Sequence, residues 1–474
     1  MQKLILHVQD NLIRRKEHTM KKIIALLMVL AMVFAVVACA KQEEQKQGET
    51  VTEAPKPAET KAPDPTKAPT EAPVETEEPV ETEEPEPEPT EEPEPEPTEE
   101  PAPIVPDGDY KVAMVTDYGD ITDESFNQAT YEGCKEFCEA NGIEFTYKKP
   151  SGDSTAERVS AVEAAIDEDY NVIVMPGFAF AGTVVEVAPQ YPDVMFIALD
   201  VSLGDLLEAA VTAAGQAYDY NPDNWNLADF VDLSNVYCAV YQEELCGYMA
   251  GFAAVKLGYK HLGFLGGMAV PAVIRYGFGF VQGANAAAVE LGIAGEVTVE
   301  YVYGNQFFGD ADITAYMDTW YQTKGVEVVF ACGGGIYTSA VEAAKKVEGT
   351  KVIGVDVDQS AIITKNFGGE GMTVTSAMKG LSATVKATLA DVISGKWAEY
   401  AGKVANLGLV SGEDPELNYV QIPMGTTQWE EGKFTQEDYK ALVAKMFAGE
   451  ILVSNDISAM PATEITVNAY GNIK

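Results

Sequence analysis

The stretch Val115-Thr-Asp-Tyr-Gly-Asp-Ile-Thr-Asp-Glu-Ser-Phe-Asn-Gln128 joins two patterns of different period. The alternating and apolar run 111–116 predicts a strand, whereas small and apolar residues recur at helical spacing from 126 to 138. Polar loops at the carboxyl ends of strands are where open α/β sheets keep their ligands. We therefore expect a binding loop between a strand and a helix, with Phe126 either in the first-turn core or facing a ligand.

The same rhythm continues along the chain. A first series of strands is predicted at 142–147, 171–176, 194–199 and 236–240, and a second at 261–265, 297–302, 327–332 and 351–355. Continuous apolar strands that alternate with helices predict parallel sheets covered on both faces. The fold class is therefore α/β, with two lobes, each a parallel sheet flanked by helices, and a hinge between them. This is the type I periplasmic-binding-protein-like architecture.

The chain divides by composition and pattern. We expect a leader at 1–39, a linker at 40–107, lobe 1 at 108–240, lobe 2 at 241–362, and a segment at 363–474 that returns to lobe 1 and forms the hinge and C-terminal part. Residues 202–233 are expected to be an irregular insertion. Residues 373–376 and a helix at 381–393 are expected to lie in lobe 1.

The leader is typical of an exported lipoprotein. A basic start and the apolar run 23–38 precede Val36-Val-Ala-Cys39, which resembles a bacterial lipobox whose cysteine is diacylglycerated. A membrane-spanning helix is the alternative, although the run is short for a span of about 20 residues. Either Met1 or Met20 fits as the start. We expect a lipid anchor at Cys39 on the outer face of a bacterial membrane.

The linker cannot build a core. Residues 41–107 contain 22 acidic residues, five lysines and 16 prolines. We expect this acidic chain to be disordered, and at about 3 Å per residue it could reach on the order of 200 Å. That reach would cross a thick wall, which favours a Gram-positive cell, but a spacer without any reach requirement fits equally well.

Charge and cysteine content limit the function. Removing the linker (−17) and leader (+4) from the total of −42 leaves −29, which argues against nucleic acid and anionic membrane surfaces. No Cys/His spacing suggests zinc, and no cofactor or metal is expected. Cys134 and Cys138 are one helical turn apart, a spacing that fits a disulfide but better fits two buried small hydrophobic side chains.

Several motifs resemble those of the basic membrane protein (BMP) family of solute-binding lipoproteins, whose studied members bind purine nucleosides. They are Thr-Asp-x-Gly-x-Ile-x-Asp-x-Ser-Phe-Asn-Gln ending at Gln128, the helix from Gln242-Glu-Glu, Phe308-Gly-Asp310, Gly354-Val-Asp-Val-Asp-Gln359 and Thr375-Ser-Ala-Met-Lys379. The resemblance covers most of residues 110–395. It departs at 333–337 and in the insertion before Asn235, and it leaves open whether Phe307 or Phe308 contacts a ligand.

The resemblance implies a set of ligand-binding residues on the loops after strands. It implies that Phe126 and Phe308 sandwich a base, that Asn127 and Asp200 contact its edge, that Gly334, Asp356 and Lys379 contact a ribose, and that Asp117 is a polar residue of the first loop. The chemistry is suitable, because aromatic rings stack on bases and charged groups make strong hydrogen bonds to hydroxyls. Each aspartate alone is equally well explained as a helix cap.

These observations predict a monomeric, lipid-anchored receptor without catalytic residues that delivers a nucleoside, most simply a purine nucleoside, to the permease and ATPase subunits of an ABC transporter. A receptor for another solute, a surface adhesin and a signalling receptor are alternatives. An exported nucleoside hydrolase is another, with calcium near Asp120 and Asp123. However, His261 is the only histidine after the leader, and HExxH, Gly-x-Ser-x-Gly and Walker motifs are missing from the sequence. The run 333–335 could instead cradle a phosphate.

Overall fold

The computed structural model describes residue 104 and residues 106–474. The predicted leader, the predicted lipidation site Cys39 and nearly all of the predicted linker lie outside these residues. Within the described part, no helix combines the length and the hydropathy needed to cross a bilayer.

Strands and helices alternate along the chain. The first series is β1 (Lys111–Val115), α1 (Phe126–Asn141), β2 (Glu144–Lys148), α2 (Thr155–Ile166), β3 (Val172–Pro176), α3 (Ala181–Val187), β4 (Met195–Leu199), α4 (Leu203–Ala213) and β5 (Val236–Tyr241). The second is α5 (Glu243–Lys256), β6 (His261–Gly266), α6 (Pro271–Glu290), β7 (Thr298–Tyr303), α7 (Ala311–Thr319), β8 (Val328–Cys332), α8 (Tyr337–Ala344), β9 (Lys351–Asp356), α9 (Ser360–Phe367) and β10 (Thr373–Lys379). The last elements are α10 (Leu381–Ile393), β11 (Lys403–Leu407), β12 (Val420–Gln421), α11 (Gln436–Phe447) and β13 (Thr466–Asn472).

Two sheets organise these elements into two lobes. The first has the order β11-β5-β4-β3-β1-β2, and the second has the order β12-β10-β9-β8-β6-β7-β13. Their strands pair in parallel, apart from the antiparallel pair β10–β12. Strands β3 and β8 are buried throughout, as expected when helices cover both faces of a sheet. The α/β fold class with two parallel sheets is confirmed.

The chain passes between the sheets three times: from β5 through α5 to β6, from β10 through α10 to β11, and from β11 to β12. Helix α10 packs closely on α1. A Cβ atom on Gly133 of α1 would lie 2.8 Å from the Cα atom of Ser382 in α10, so only glycine permits this approach. The predicted return of residues 381–393 to the first lobe is thereby observed.

Two sequence-based assignments are wrong. Residues 202–233 are not wholly irregular, since α4 begins with a capping box in which Ser202 and Asp205 each bond the other's backbone N–H. Residues 373–376 do not return to lobe 1, because β10 pairs with β9 in the second sheet. The segment 363–474 therefore contributes to both lobes, and its strands β12 and β13 also belong to the second sheet.

The state of the cysteines agrees with expectation. Cys134 and Cys138 are free and buried in the apolar face of α1. A capping box between Ser154 and Glu157 also begins α2.

Candidate functional site

A cavity of about 400 Å³ lies among the loops that follow the strands of both sheets. All eight residues expected at a ligand site line it: Asp117, Phe126, Asn127, Asp200, Phe308, Gly334, Asp356 and Lys379. The fold brings them together because the strands within each sheet end at a common edge and the two edges face each other.

The first loop is held by two carboxylates. Asp117 accepts the N–H groups of Tyr118 and Gly119 at 2.6 and 2.7 Å. Asp123 accepts the N–H groups of Asn127 and Gln128 at 2.9 and 3.0 Å and so caps α1. Burial raises the pKa of Asp117, and it raises that of Asp123 to about 6 despite these donors.

Asn127 presents an unused acceptor. Its Nδ2 donates to Asp123 at 3.1 Å, but its buried Oδ1 has no hydrogen-bond partner among the described residues. Since an unpaired buried acceptor is costly, a donor from a ligand would stabilise this position.

Lys379, at the end of β10, is the centre of the charges. Its side chain is only 3% exposed, and its Nζ lies 2.6 Å from Asp200 Oδ2, 3.5 Å from Glu243 Oε1 and 3.8 Å from Asp356 Oδ1. Burial opposes its charge, but the three carboxylates raise the pKa of the ammonium group above its usual value. Burial raises the pKa of Asp200 to about 6, against the pull of Lys379. One buried cation thus links carboxylates from both lobes.

Asp200 directly follows β4, and Asp356 is the last residue of β9. Both have left-handed backbones, with φ of 60° and 65°, a conformation that non-glycine residues rarely adopt and that concentrates at functional sites. Asp356 also accepts from the hydroxyls of Ser125 at 2.6 Å and Tyr276 at 3.2 Å. Asp200 Oδ1 is buried without a partner in the described part of the chain.

The aromatic residues form one wall and part of the rim. Phe126 is half-buried, with the Lys379 ammonium 4.7 Å from its ring centroid. Phe308 is 59% exposed. Phe307 also lines the cavity and lies 6.4 Å from Tyr118, centroid to centroid. Both Phe307 and Phe308 line the same cavity as Phe126, so the structure does not choose between them.

The glycine run 333–335 folds tightly over Phe307. Gly333 and Gly334 have φ of 150° and 52°, and a Cβ on Gly333 would lie 3.0 Å from the Cα of Gly267. The N–H of Gly335 already donates to the carbonyl of Phe307 at 2.9 Å. Because this N–H is already bonded within the protein, it is not free to bind a phosphate, which weakens the alternative of a phosphate site.

The calcium alternative gains no support. Asp120 pairs with Lys149 at 2.8 Å, and Asp123 accepts N–H groups from the first turn of α1. Among the described residues no group of three or more His, Cys, Asp or Glu side chains is arranged to hold a metal ion. His261 lies outside the cavity lining and contacts Glu300 at 3.2 Å.

Sequence reasoning missed a second layer of the site. Arg275 lines the cavity and donates to Glu243 at 2.7 Å, and Glu243 in turn faces Lys379. Burial raises the pKa of the neighbouring Glu244 to about 7. The available signal was compositional: paired glutamates begin the otherwise apolar α5, and Arg275 is the only basic residue of α6.

Comparison with known proteins assigns the chain to a family. The chain is 27% identical over 318 residues to the "ABC transporter nucleoside-binding protein BmpA" of Lactococcus lactis, covering 64% of this chain and 80% of that one. It is also 27% identical over 325 residues to the "CD4+ T-cell-stimulating antigen" of Listeria monocytogenes, covering 65% and 81%.

Solved structures agree at the level of the fold. A solute-binding protein of an ABC transporter from Aeropyrum pernix superposes with a TM-score of 0.51 at 21% identity, covering 73% of this chain and 88% of that chain. The family model described as "Bmp: ABC transporter substrate-binding protein PnrA-like" matches residues 110–413. The protein therefore belongs to the Bmp family of PnrA-like ABC transporter substrate-binding proteins.

Proposed function

We propose that this protein captures a purine nucleoside outside the membrane, while anchored through Cys39, and delivers it to an ABC permease. The observation that carries the proposal is the joint placement, in one cavity, of aromatic rings, the Lys379 cluster and the unpaired acceptors of Asn127 and Asp200. Aromatic rings stack on the faces of a base, and the unpaired acceptors would accept hydrogen bonds from its N–H groups. Asp356 would accept from vicinal hydroxyls, and Lys379 would donate to them. The name of the Lactococcus relative supports the same ligand class.

The charges favour a nucleoside over its monophosphate. Six aspartates line the cavity (Asp117, Asp120, Asp123, Asp200, Asp205 and Asp356), against three basic residues (Lys149, Arg275 and Lys379). Each basic side chain already faces a carboxylate. A phosphate would therefore add negative charge to an acidic site.

The decisive experiment is calorimetry on residues 40–474 after removal of co-purified ligand, with purine and pyrimidine nucleosides, ribose, free bases and a monophosphate. We expect purine nucleosides to bind at least about tenfold more tightly than the monophosphate. Phe126→Ala and Asp356→Asn should abolish this binding, whereas Asp193→Asn, at an exposed aspartate, should leave it intact. Equal affinity for the monophosphate, or no nucleoside binding, would contradict the assignment. Release of free base would favour a hydrolase.

A further inference from the structure

The chain continues beyond the segment that matches the family model. Residues 449–474, which we call the strap, run across α6 and end beside β7. Gln282 of α6 exchanges hydrogen bonds of 2.9 and 3.0 Å with the backbone of Ser454. Asn285, also in α6, accepts the N–H of Glu464 at 2.7 Å. The strap is thus fixed to the second lobe before it becomes a strand.

A buried carboxylate holds the strand part of the strap. Glu300 of β7 accepts from Lys324 at 2.8 Å and from Asn468 at 3.3 Å. It also accepts from the hydroxyl of Tyr470, over whose ring the Lys324 ammonium lies 4.2 Å from the centroid. His261 completes the set at 3.2 Å. These contacts join β13 to the edge of the sheet in a defined register.

The direction of β13 decides where the strap ends. Because β13 runs parallel to β7, its last residues reach the edge of the sheet at which β7 ends. The N–H of Ile473 donates to the carbonyl of Tyr303, the final residue of β7, at 2.8 Å. The next residue, Lys474, forms an ion pair with Asp310. Residues 304–310, which we call the aromatic loop, begin directly after Tyr303.

Asp310 connects the strap to the aromatic loop. Its Oδ1 accepts the N–H groups of Asp312 and Ile313 at 3.0 Å and caps α7. Its Oδ2 accepts from Lys474 and from Gln306 Nε2, the latter at 2.7 Å. Gln306 Nε2 also donates to the carbonyl of Phe308 at 2.9 Å. A short path of hydrogen bonds therefore runs from Lys474 to a residue that lines the cavity.

We propose that Lys474 is a positioning residue, which acts through Asp310 to hold the aromatic loop against the cavity and so slows the release of ligand. The inference rests on the proposed function only in that the cavity is the ligand site. An exposed ion pair contributes little to global stability, so the effect is expected in the loop rather than in the whole fold.

Hydrogen exchange on ligand-free residues 40–474 tests the proposal. We expect Lys474→Gln to speed exchange in peptides covering 304–310, whose N–H groups at 304, 305 and 310 are hydrogen-bonded, and Lys474→Arg to restore the slow rate. Lys433→Gln, which removes an exposed ion pair with Glu430 at 2.9 Å, is the matched control and should leave the loop unchanged. The unfolding temperature should stay within error in all three variants.

Ligand kinetics supply the second readout. For a nucleoside that binds the wild type, dissociation from Lys474→Gln should be faster by about threefold, with little change in the association rate. Unchanged exchange at 304–310 would overturn the proposal, as would a loss of protection spread over the whole second sheet. If no nucleoside binds the wild type, the proposed function fails, while the exchange experiment still decides the role of Lys474.

Discussion

At the scale of single residues, the site depends on one buried cation. Lys379 contacts Asp200 from the first lobe and Asp356 from the second, and its side chain is almost inaccessible to solvent. A buried charge is tolerated only when it is paired and hydrogen-bonded. Removing the cation would leave several carboxylates uncompensated in the same place.

Lys379→Met should therefore both abolish ligand binding and destabilise the protein. Removing one partner of a buried ion pair lowers the unfolding free energy by about 3–5 kcal/mol. Urea denaturation of the variant and the wild type measures this difference. Lys386→Met removes an exposed pair with Glu136 at 2.6 Å and should cost less than about 1 kcal/mol. A Lys379→Met protein as stable as the control would show that the carboxylates do not need this cation.

Glu244 gives a pH-dependent prediction. Burial raises its pKa to about 7, above its usual value of 4.5. Its Oε2 has no hydrogen-bond partner within the described chain and lies 4.0 Å from Arg275 Nε. A raised pKa means that the folded state binds the proton more tightly, so stability is lost as pH rises through about 7. The unfolding free energy of Glu244→Gln, relative to that of the wild type, should thus increase by about 2 kcal/mol between pH 5 and pH 8.

The control for this prediction is the exposed Glu431→Gln, which should show no such change with pH in the same denaturation series. A Glu244→Gln difference that is constant from pH 5 to pH 8 would show that the glutamate ionises normally in the fold.

The sequence predicted which residues meet in the cavity, but not how they pair. Polar residues at the ends of parallel strands gather at one edge of their own sheet, and Asp200 and Asp356 could be placed together because the edges of the two sheets were expected to face each other. The ion pairs of Glu243 and Arg275 come from helices, where the facing direction depends on tertiary packing. No local pattern specifies that packing.

At the scale of elements, strands were easier to place than connections. Buried strands such as β3 and β8 can be recognised in the sequence as continuous apolar runs. Helix α4 is harder to recognise, because the polar and aromatic residues that follow it obscure its helical periodicity. Strand β10 was assigned to the wrong lobe because its sequence shows that it is a strand but not which sheet it joins. That choice depends on pairing between distant segments.

The contact between α5 and α6 depends on small residues. A Cβ on Gly279 of α6 would lie 2.1 Å from the carbonyl oxygen of Glu244 in α5. We expect Gly279→Ala to lower the unfolding free energy by at least about 1–3 kcal/mol, because the helices must separate. Gly295→Ala, where no atom lies within 4 Å of the added methyl group, is the control and should be nearly neutral. Equal effects in chemical denaturation would refute the close-packing explanation.

At the scale of the whole molecule, direct contacts join the two lobes. Besides the Lys379 cluster, the buried Gln359 of the second lobe donates to the carbonyl of Glu124 in the first at 3.0 Å. Glu124 has a φ of 52°, so this bond helps to hold a strained residue. Tyr118 also reaches Met268 across the cleft at 3.5 Å.

Gln359→Ala should loosen the lobes without removing a cavity-lining side chain. We expect a larger radius of gyration by X-ray scattering, and ligand dissociation faster by about tenfold or less. Gln421→Ala, at the edge strand β12, is a control in which both quantities should match the wild type. Unchanged scattering and dissociation in Gln359→Ala would mean that the other contacts suffice to hold the lobes.

The three passages of the chain between the sheets have a mechanical consequence. A single connection would let one lobe rotate freely on the other. Here the connecting segments are bonded to one another, since the N–H of Gln242 donates to the carbonyl of Leu407 at 2.9 Å and that of Gly380 to the carbonyl of Tyr419 at 2.7 Å. We therefore expect relative motion of the lobes to be restricted to bending about this region. A partner that binds both lobes would then contact a small number of defined lobe arrangements rather than a continuum of orientations. If the proposed function holds, a permease would distinguish the filled protein from the empty one by the distance between its lobes.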